Sequence, residues 1–298
     1  MVNARLDSAA ETATGTSPEG VIVEPKCDSA EFANSSASEL SRECGIVVED
    51  AVLRYPLAPY QRGSLKLSVM SLLGARERAA PLKYVDAVRS VSLEIGHGQR
   101  VGLIGHNGAG KSSFLKMLAG VFPIQSGRIK VHGRIGTLLD VGLGFETEST
   151  GRENIYNRGY AMGMSRKALQ KAEKDIIAFA DLGEFIDLPM RTYSTGMYVR
   201  LGFAISTEFT PDILLIDEVF GAGDMKFAQR ARDRMLKIAN HAGIVVMVSH
   251  DTNALLDICE RIVWLEHGQI VLDGPAREVI EKYLKTNGAA PALNSASD

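Results

Sequence analysis

Short apolar runs, separated by glycine and polar turns, recur along the chain between residues 45 and 285. Such runs, bounded by turn signals, are typical of strands buried in a sheet. The segment 151–209 loses this pattern, which indicates a mainly helical region. The remaining pattern predicts strands at 45–53, 85–95, 100–104, 126–134, 211–218 and 245–250, and a terminal strand pair at 261–265 and 268–272.

Helical spacing of apolar residues appears in three places. A helix is predicted at 165–180 and a last one at about 276–285. Between Tyr55 and Tyr84, a third apolar face is flanked by basic residues and either packs on the domain or lies at the inner-leaflet surface. The first face consists of Ala168, Ala172, Ile176 and Phe179, and the third of Leu65, Val69, Leu72 and Leu73 beside Arg62, Lys66, Arg76 and Arg78.

Composition adds a few limits. The 298 residues, 45% of them apolar, suit one or two globular domains, and residues 1–44 and 286–298 are polar enough to be disordered tails. A net charge of −3 does not favour nucleic acid as a partner. The three cysteines have no metal-ligand spacing, and neither a membrane-spanning run nor a secretory signal is evident, so we expect a cytoplasmic protein.

A glycine-rich segment between a predicted strand and a predicted helix matches the phosphate-binding loop (P-loop) template G-x-x-x-x-G-K-[ST]. Its glycines let the main chain approach a phosphate, and the N–H groups and the helix N-terminus then face the anion. Lys111 is expected to reach the β- and γ-phosphates, and Ser112 to bind Mg²⁺. The nucleotide-binding residues predicted here are Gly105, His106, Asn107, Gly108, Ala109, Gly110, Lys111, Ser112 and Ser113.

Two adjacent carboxylates end the apolar run at 211–218. Asp217 is placed to hold Mg²⁺ through water, as the acid after a hydrophobic strand does in P-loop enzymes. Glu218 follows directly, where a carboxylate can orient and polarise the attacking water. Together with the P-loop, this pair predicts nucleotide hydrolysis.

The motifs together resemble the ATP-binding subunit of an ABC transporter, over roughly residues 45–285. Ser194, Thr195 and Gly196 are similar to the signature segment of that family, although Thr195 stands where glycine is usual. Residues 221–224, which end in Asp224, resemble the D-loop. His250 follows a predicted strand and resembles the switch histidine that contacts the γ-phosphate.

This resemblance implies an α/β fold, a RecA-like P-loop NTPase core with ABC-type antiparallel strands and an α-helical subdomain inserted at about 145–208. It implies a head-to-tail homodimer, in which ATP and Mg²⁺ lie between the P-loop of one subunit and the signature of the other. Glu218 and His250 would be the catalytic residues. The implied partner is a membrane permease, with this subunit peripheral on the cytoplasmic side of the inner membrane.

One branch of the family is favoured by three further segments. Met197, the run Thr150–Ile155 and Val219 resemble the subunits that export O-antigen, capsule and teichoic acid polymers. The alternative is an export ATPase for a drug, lipid or peptide. A soluble ABC protein of ribosomes or DNA is disfavoured, since one cassette is present without a basic surface pattern or zinc-binding cysteines.

Three points stay open. The glutamine with which the family contacts Mg²⁺ has no clear counterpart, and Asp140 or Glu146 could replace it. Tyr55 is the preferred adenine-stacking aromatic and Tyr84 the alternative. Some O-antigen exporters carry a C-terminal β-sandwich that reads a capped glycan end; none follows Lys285, so we expect a substrate that this chain does not select by a terminal cap.

Overall fold

Two β-sheets form the framework of the fold. A computed structural model describes residues 22–24, 45–57, 83–139, 142, 144–217 and 225–287. The predicted helical face Leu65–Leu73, Asp140, Glu218 and the D-loop segment 221–224 lie outside the described residues.

The larger sheet carries the P-loop. Within the described residues its strand order is β10–β9–β4–β8–β7–β6, and all neighbours are parallel except β10, which pairs antiparallel with β9. The central strands are apolar throughout because helices and the second sheet cover both faces. The strands are β4 (Arg100–Ile104), β6 (Ile135–Leu138), β7 (Ile213–Asp217), β8 (Ile244–Val248), β9 (Arg261–Glu266) and β10 (Gln269–Pro275).

The smaller sheet covers one face of the larger one. Its order is β1–β5–β2–β3, with β1 (Ile22–Glu24), β2 (Gly45–Leu57), β3 (Lys83–Gly96) and β5 (Ser126–His132). Strand β2 is antiparallel to β3 and β5, and β1 is parallel to β5. Strand β1 departs from the expectation of a disordered tail. It belongs to a brief apolar run, and it pairs with main-chain groups at the edge of β5.

Helices fill the spaces between the strands and around the sheets. They are α1 (Lys111–Leu118), α2 (Gly151–Ala161), α3 (Arg166–Ala180), α4 (Thr195–Ser206), α5 (Met225–His241), α6 (Thr252–Ile258) and α7 (Ala276–Thr286). Two short 3₁₀ turns, 183–187 and 190–192, lie between α3 and α4. None of the described helices combines the length and apolar character that crossing a bilayer requires.

The helical region 151–206 has a small core of its own. Helix α3 buries Ala172 and Ile176, as its spacing predicts, but Leu169 and Ala180 are buried in place of Ala168 and Phe179. The ring of Phe179 instead packs against Phe203 of α4 and Phe227 of α5, at centroid distances of 5.9 and 5.7 Å. These aromatic contacts join the helical region to the rest of the domain.

Two further cores hold the sheets together. One lies between the sheets and around α1, and the other lies on the opposite face of the larger sheet beneath α5, α6 and α7. In the second core, Trp264 of β9 is 7% exposed and meets Tyr283 of α7 edge to face, with ring centroids 5.4 Å apart. Strand β9 thus links the C-terminal helix to the turn that follows Glu266.

Candidate functional site

The P-loop connects β4 to α1 in a conformation that requires glycine. Gly105 has φ 150° and Gly110 has φ 104°, both in the range that residues with a side chain rarely adopt. A Cβ at Gly105 would collide with the carbonyl of Leu265, and one at Gly110 with the carbonyl of Ala87. The loop is therefore held between β9 and β3, and its shape depends on both.

Lys111 extends back over this loop. Its side chain is buried, and its Nζ donates to the main-chain oxygens of Gly105 at 2.7 Å and His106 at 3.0 Å. The positive charge of this ammonium group, together with the N-terminus of the helix that follows, would attract a phosphate that enters the loop.

The N-terminus of α1 is open to a ligand. Its N-cap is Gly110, which in the described structure provides no side-chain hydrogen bond, and its first turn contains no acidic residue. The first N–H groups of a helix have no partner within the helix and carry a partial positive charge. They form an anion site at the point where the P-loop ends.

A pocket of about 430 Å³ lies against this loop. Asp217 and His250 reach it because β7 and β8 are adjacent and parallel, with Asp217 opposite Val248, so the carboxyl ends of both strands meet here. The structure adds four lining residues that the sequence patterns did not indicate, Val248 of β8 and Val85, Asp86 and Ala87 of β3. Val85 pairs with Tyr55 and Asp86 with Arg54 across β2 and β3, a long-range register that no local sequence pattern shows. The other lining residues include Tyr55, Asn107, Gly108, Gly110, Lys111, Ser112 and Ser113.

Tyr55 is the aromatic residue that the structure places in this pocket. Its hydroxyl donates to Ser113 Oγ at 3.1 Å, and its ring meets Phe122 edge to face at 5.2 Å, so α1 and its flank fix the ring. Tyr84 pairs with Pro56, is 57% exposed and does not line the pocket. Of the two alternatives, only Tyr55 lines the P-loop pocket.

The signature residues lie elsewhere, at the start of α4. Ser194 is its N-cap, and its Oγ accepts a hydrogen bond from Met197 N at 3.3 Å. Ser194 and Thr195 are exposed, and a Cβ on Gly196 would have only Ser194 Oγ nearby, at 3.9 Å. None of the three lines the P-loop pocket. Within one copy of the chain, the two motifs are therefore not brought together.

The loop before α2 is held by residues whose structural role the sequence patterns did not indicate. Asn154 is fully buried, and its side chain accepts from Glu146 N at 2.8 Å and donates to the carbonyls of Glu146 and Thr150, both at 2.9 Å. Thr150 and Glu153 form a reciprocal capping box. This T-x-x-E spacing was the available signal. Glu146, one of the two candidates for the missing glutamine, is itself exposed and does not line the pocket; the other, Asp140, lies outside the described residues.

An ionic network joins α2 to α3 and to the turn before the signature. Arg152 binds Glu173 and Asp187, with its Nε 2.7 Å from Asp187 Oδ1. Hydrogen bonds from Tyr156 and Arg152 lower the pKa of Glu173, and Arg152 lowers the pKa of Asp187. Next to the signature, burial raises the pKa of Tyr193 to about 12, so its hydroxyl stays protonated and donates to the carbonyl of Phe185 at 2.7 Å.

Known proteins match both the sequence and the fold. The ABC transporter family model matches residues 88–221. The O-antigen export system ATP-binding protein RfbB of Klebsiella pneumoniae is 38% identical over 229 residues, 77% of this chain and 93% of that protein. RfbB of Myxococcus xanthus is 37% identical over 78% of this chain but 53% of its own length, so the chain spans about half of that relative.

A solved structure agrees at the level of the fold. The ATP-binding cassette MJ0796, a dimer in a post-hydrolysis state with ADP and phosphate, has a TM-score of 0.59 at 20% identity and covers 78% of this chain and 99% of its own. This likeness confirms the predicted α/β class, and the Klebsiella relative confirms the predicted family. The chain belongs to the ABC transporter family.

Proposed function

We propose that this chain powers the export of a polysaccharide or lipid-linked glycan across the inner membrane. The observation that carries the proposal is the 38% identity with a Klebsiella O-antigen export ATP-binding protein over 93% of that protein. The chain would bind a transmembrane ABC permease on its cytoplasmic side and act as a homodimer. An export subunit for a drug, lipid or peptide is the alternative.

The P-loop pocket supports binding of ATP as substrate. The open N-terminus of α1 and the buried Lys111 supply positive charge for the phosphates, and the glycines leave room for them. Tyr55, fixed by Ser113, would stack on the base. The pocket thus offers groups suited to both the phosphates and the base of the nucleotide.

The same pocket suits a magnesium ion, since Ser112 and Asp217 both line it and offer oxygen ligands. When bound, Mg²⁺ would neutralise charge on the β- and γ-phosphates. Among the chain's own residues, Glu218 would orient and polarise the attacking water, and His250 would contact the γ-phosphate from the end of β8. Asp224 of the proposed D-loop would complete the nucleotide site.

A second copy is needed to complete the site in this proposal. Ser194, Thr195 and Gly196 lie exposed at the start of α4 and outside the pocket, so a partner subunit arranged head to tail would bring its signature to the γ-phosphate. In this arrangement ATP would lie between the P-loop pocket of one subunit and the signature segment of the other, so ATP binding would close the dimer. Closure would then be transmitted to the permease.

Replacing Glu218 with Gln tests both parts of this proposal. The variant should bind ATP and form an ATP-dependent dimer, measured by light scattering, while turnover falls on the order of 100-fold or more. Glu260→Gln, an exposed acid outside the pocket, is the matched control and should hydrolyse ATP normally. Turnover by Glu218→Gln within about twofold of wild type would contradict the catalytic assignment.

The cargo is tested in cells that lack the chain. Wild type should restore the surface polysaccharide, and Glu218→Gln should not. If polysaccharide levels are the same with and without an active subunit, the proposal of glycan export is wrong. Drug resistance, lipid export and peptide export are then measured in the same cells to decide between the alternative cargoes. This result leaves the ATPase assignment standing, because purified protein measures that separately.

A further inference from the structure

The turn between β9 and β10 lies directly against the back of the P-loop. Gly268 N donates to the carbonyl of Ala109 at 2.9 Å, and Gly268 O accepts from Arg89 N at 2.8 Å. The preceding residue, His267, has φ 48°, in the left-handed region where asparagine, aspartate and histidine are enriched among residues that carry a side chain. The turn thus places the ring of His267 beside that of His106 in the P-loop.

His106 has one ring nitrogen with a partner and one without. Its Nδ1 lies 2.7 Å from the carbonyl of Asn107. Since a carbonyl only accepts, Nδ1 carries the proton in the neutral ring, and the lone pair is on Nε2. Nε2 is buried, yet it has no hydrogen-bond partner among the residues that the structure describes. A buried acceptor without a partner is unfavourable, so a ligand bound to Nε2 would remove this cost.

Two more donor groups surround the same space. The rings of His106 and His267 are 4.9 Å apart between centroids and tilted by 58°. One ligand atom each from His106, His267 and Glu266 lie within 4.8 Å of one another. Neighbouring ligand atoms of a tetrahedral zinc ion are about 3.3 Å apart. A small rotation of the side chains would shorten the present distances to that value, and His267 is free to rotate because it is exposed.

We propose that His106, Glu266 and His267 form a binding site for zinc(II) or a similar transition-metal cation. Two imidazoles with one carboxylate suit such an ion, whereas magnesium and calcium prefer oxygen ligands alone. The hydrogen bond from Nδ1 of His106 to a main-chain carbonyl is the contact that usually orients a metal-ligating histidine. This site is separate from the Mg²⁺ site proposed at Ser112 and Asp217.

Binding at this site would affect the P-loop. The carbonyl of His106 accepts from Lys111 Nζ, and the turn residue Gly268 is bonded to Ala109. A metal ion would therefore fasten the loop to the β9–β10 turn and restrict it while ATP enters or phosphate leaves. We expect zinc to slow ATP turnover without competing directly for the nucleotide pocket.

The decisive experiment measures zinc binding to the full chain without nucleotide and without an affinity tag. Zinc chloride is titrated by calorimetry and by competition with a chromogenic chelator, against wild type, His267→Asn and Glu266→Gln. Asparagine is chosen because it tolerates the backbone conformation of His267. His241→Asn is the matched control, an exposed histidine whose Nδ1 also faces a main-chain carbonyl, that of Lys237 at 2.6 Å.

Wild type and His241→Asn should each bind one zinc ion at this site, and both site variants should bind it more than about tenfold more weakly. In the presence of excess Mg²⁺ and ATP, buffered zinc should slow wild type, while His267→Asn keeps its zinc-free rate and loses the zinc effect. Wild-type zinc affinity and stoichiometry in both site variants, or no zinc binding by wild type, would overturn the proposal. Neither result bears on ATP hydrolysis without zinc.

Discussion

The helices α1 and α4 differ at their N-termini: that of α1 is left uncapped and can bind a ligand, whereas that of α4 is capped by a side chain that stabilises the helix. Helix α1 begins after a left-handed glycine without a side-chain cap, so its first N–H groups stay available to a phosphate. Helix α4 begins with Ser194, which caps it through Met197 N. At the start of the helical region, α2 has a complete capping box. The P-loop leaves main-chain N–H groups available to a ligand, whereas in α2 and α4 side chains accept hydrogen bonds from the N–H groups of the first turn.

Ser194 stands between these extremes. Its oxygen already accepts a hydrogen bond from the helix, but its hydroxyl proton can still be donated. One side chain can thus cap α4 and bind a phosphate oxygen of the opposite subunit. The contrast predicts that P-loop changes reduce binding with little loss of stability, that changes in the helical region reduce stability, and that Ser194 affects both.

The largest effect is expected from Lys111→Ala. Removal of the buried ammonium group that lies over the loop should weaken ATP binding and reduce turnover on the order of 100-fold or more. The melting temperature without nucleotide should change little, since the lost hydrogen bonds lie within the loop. Nucleotide titration and phosphate release measure the effect, with exposed Lys174→Ala as control. Normal ATP binding by Lys111→Ala would contradict the role of the P-loop in ligand binding.

The two functions of Ser194 can be separated by the choice of replacement. Ser194→Asp keeps a good N-cap, so its melting temperature should match wild type, but its negative charge should block hydrolysis by repelling the γ-phosphate. Ser194→Ala should lose about 1 kcal/mol of stability as well as the donor. Thermal melts and ATPase rates on both variants are compared.

A mixed dimer sharpens the Ser194 test. Pairing one Ser194→Asp subunit with one Lys111→Ala subunit places both changes in one composite site and leaves the other intact. Hydrolysis should return at the intact site. If the mixed dimer is no more active than either pure variant, the head-to-tail arrangement is wrong.

In the helical region, Asn154→Ala should mainly reduce stability. The change leaves the main-chain N–H and carbonyl of Glu146 without their buried partner, at a cost of about 2–3 kcal/mol. A fall of roughly 5–10 °C in melting temperature follows from that cost. The exposed Asn157 is the matched control, and Asn157→Ala should melt as wild type does. Equal melting of the two variants would show that this loop does not depend on Asn154.

The smallest effect concerns the Arg152 network and pH. The pKa values of Glu173 and Asp187 are lowered in the folded state, so their contribution to stability is present above their ordinary values of 4.5 and 3.8 and is lost as the pH falls through the lowered values. Arg152→Gln should therefore reduce stability slightly at pH 7 and flatten the decline in acid. The network is partly exposed, so a shift of about 2 °C or less is expected.

Melting curves between neutral and acidic pH check this effect. Arg191→Gln is the control, because Arg191 and its partner Glu148 are both more than half exposed. That variant should follow the wild-type pH dependence. An unchanged acid response in Arg152→Gln would mean that the ion pairs add nothing to folding.

The sequence predicted the parts of the fold in which local pattern and tertiary role coincide. Buried strands such as β4, β7 and β8 are apolar on both faces, and the P-loop needs glycine at fixed positions, so both are visible without a structure. Strand β6 is only four residues long and is defined by its pairing with β7, which no local pattern shows. Helix α5 was overlooked although Phe227, Ala231 and Met235 follow helical spacing.

The site was predictable to the same degree. The sequence pointed to the P-loop, Asp217 and His250, and in the structure six of the nine predicted P-loop residues line one pocket together with Asp217 and His250; Gly105, His106 and Ala109 do not line it. It could not show that Asp86 and Ala87 join them, because strand register is a long-range property. Asn154 appeared in the sequence only as part of a family-like motif. Its clamp on Glu146 depends on how the chain folds back on itself.

The placement of Trp264 gives the protein its own optical probe. It is the sole tryptophan in the sequence, it is buried against Tyr283, and it lies on the same strand as Glu266, just before the turn residue His267. Intrinsic emission should therefore be blue-shifted in the folded state and move to the red when β9 separates from α7. Excitation of this one indole follows that part of the domain without any attached dye. Because the strand continues into the turn behind the P-loop, the signal reports from the side of the loop opposite the nucleotide.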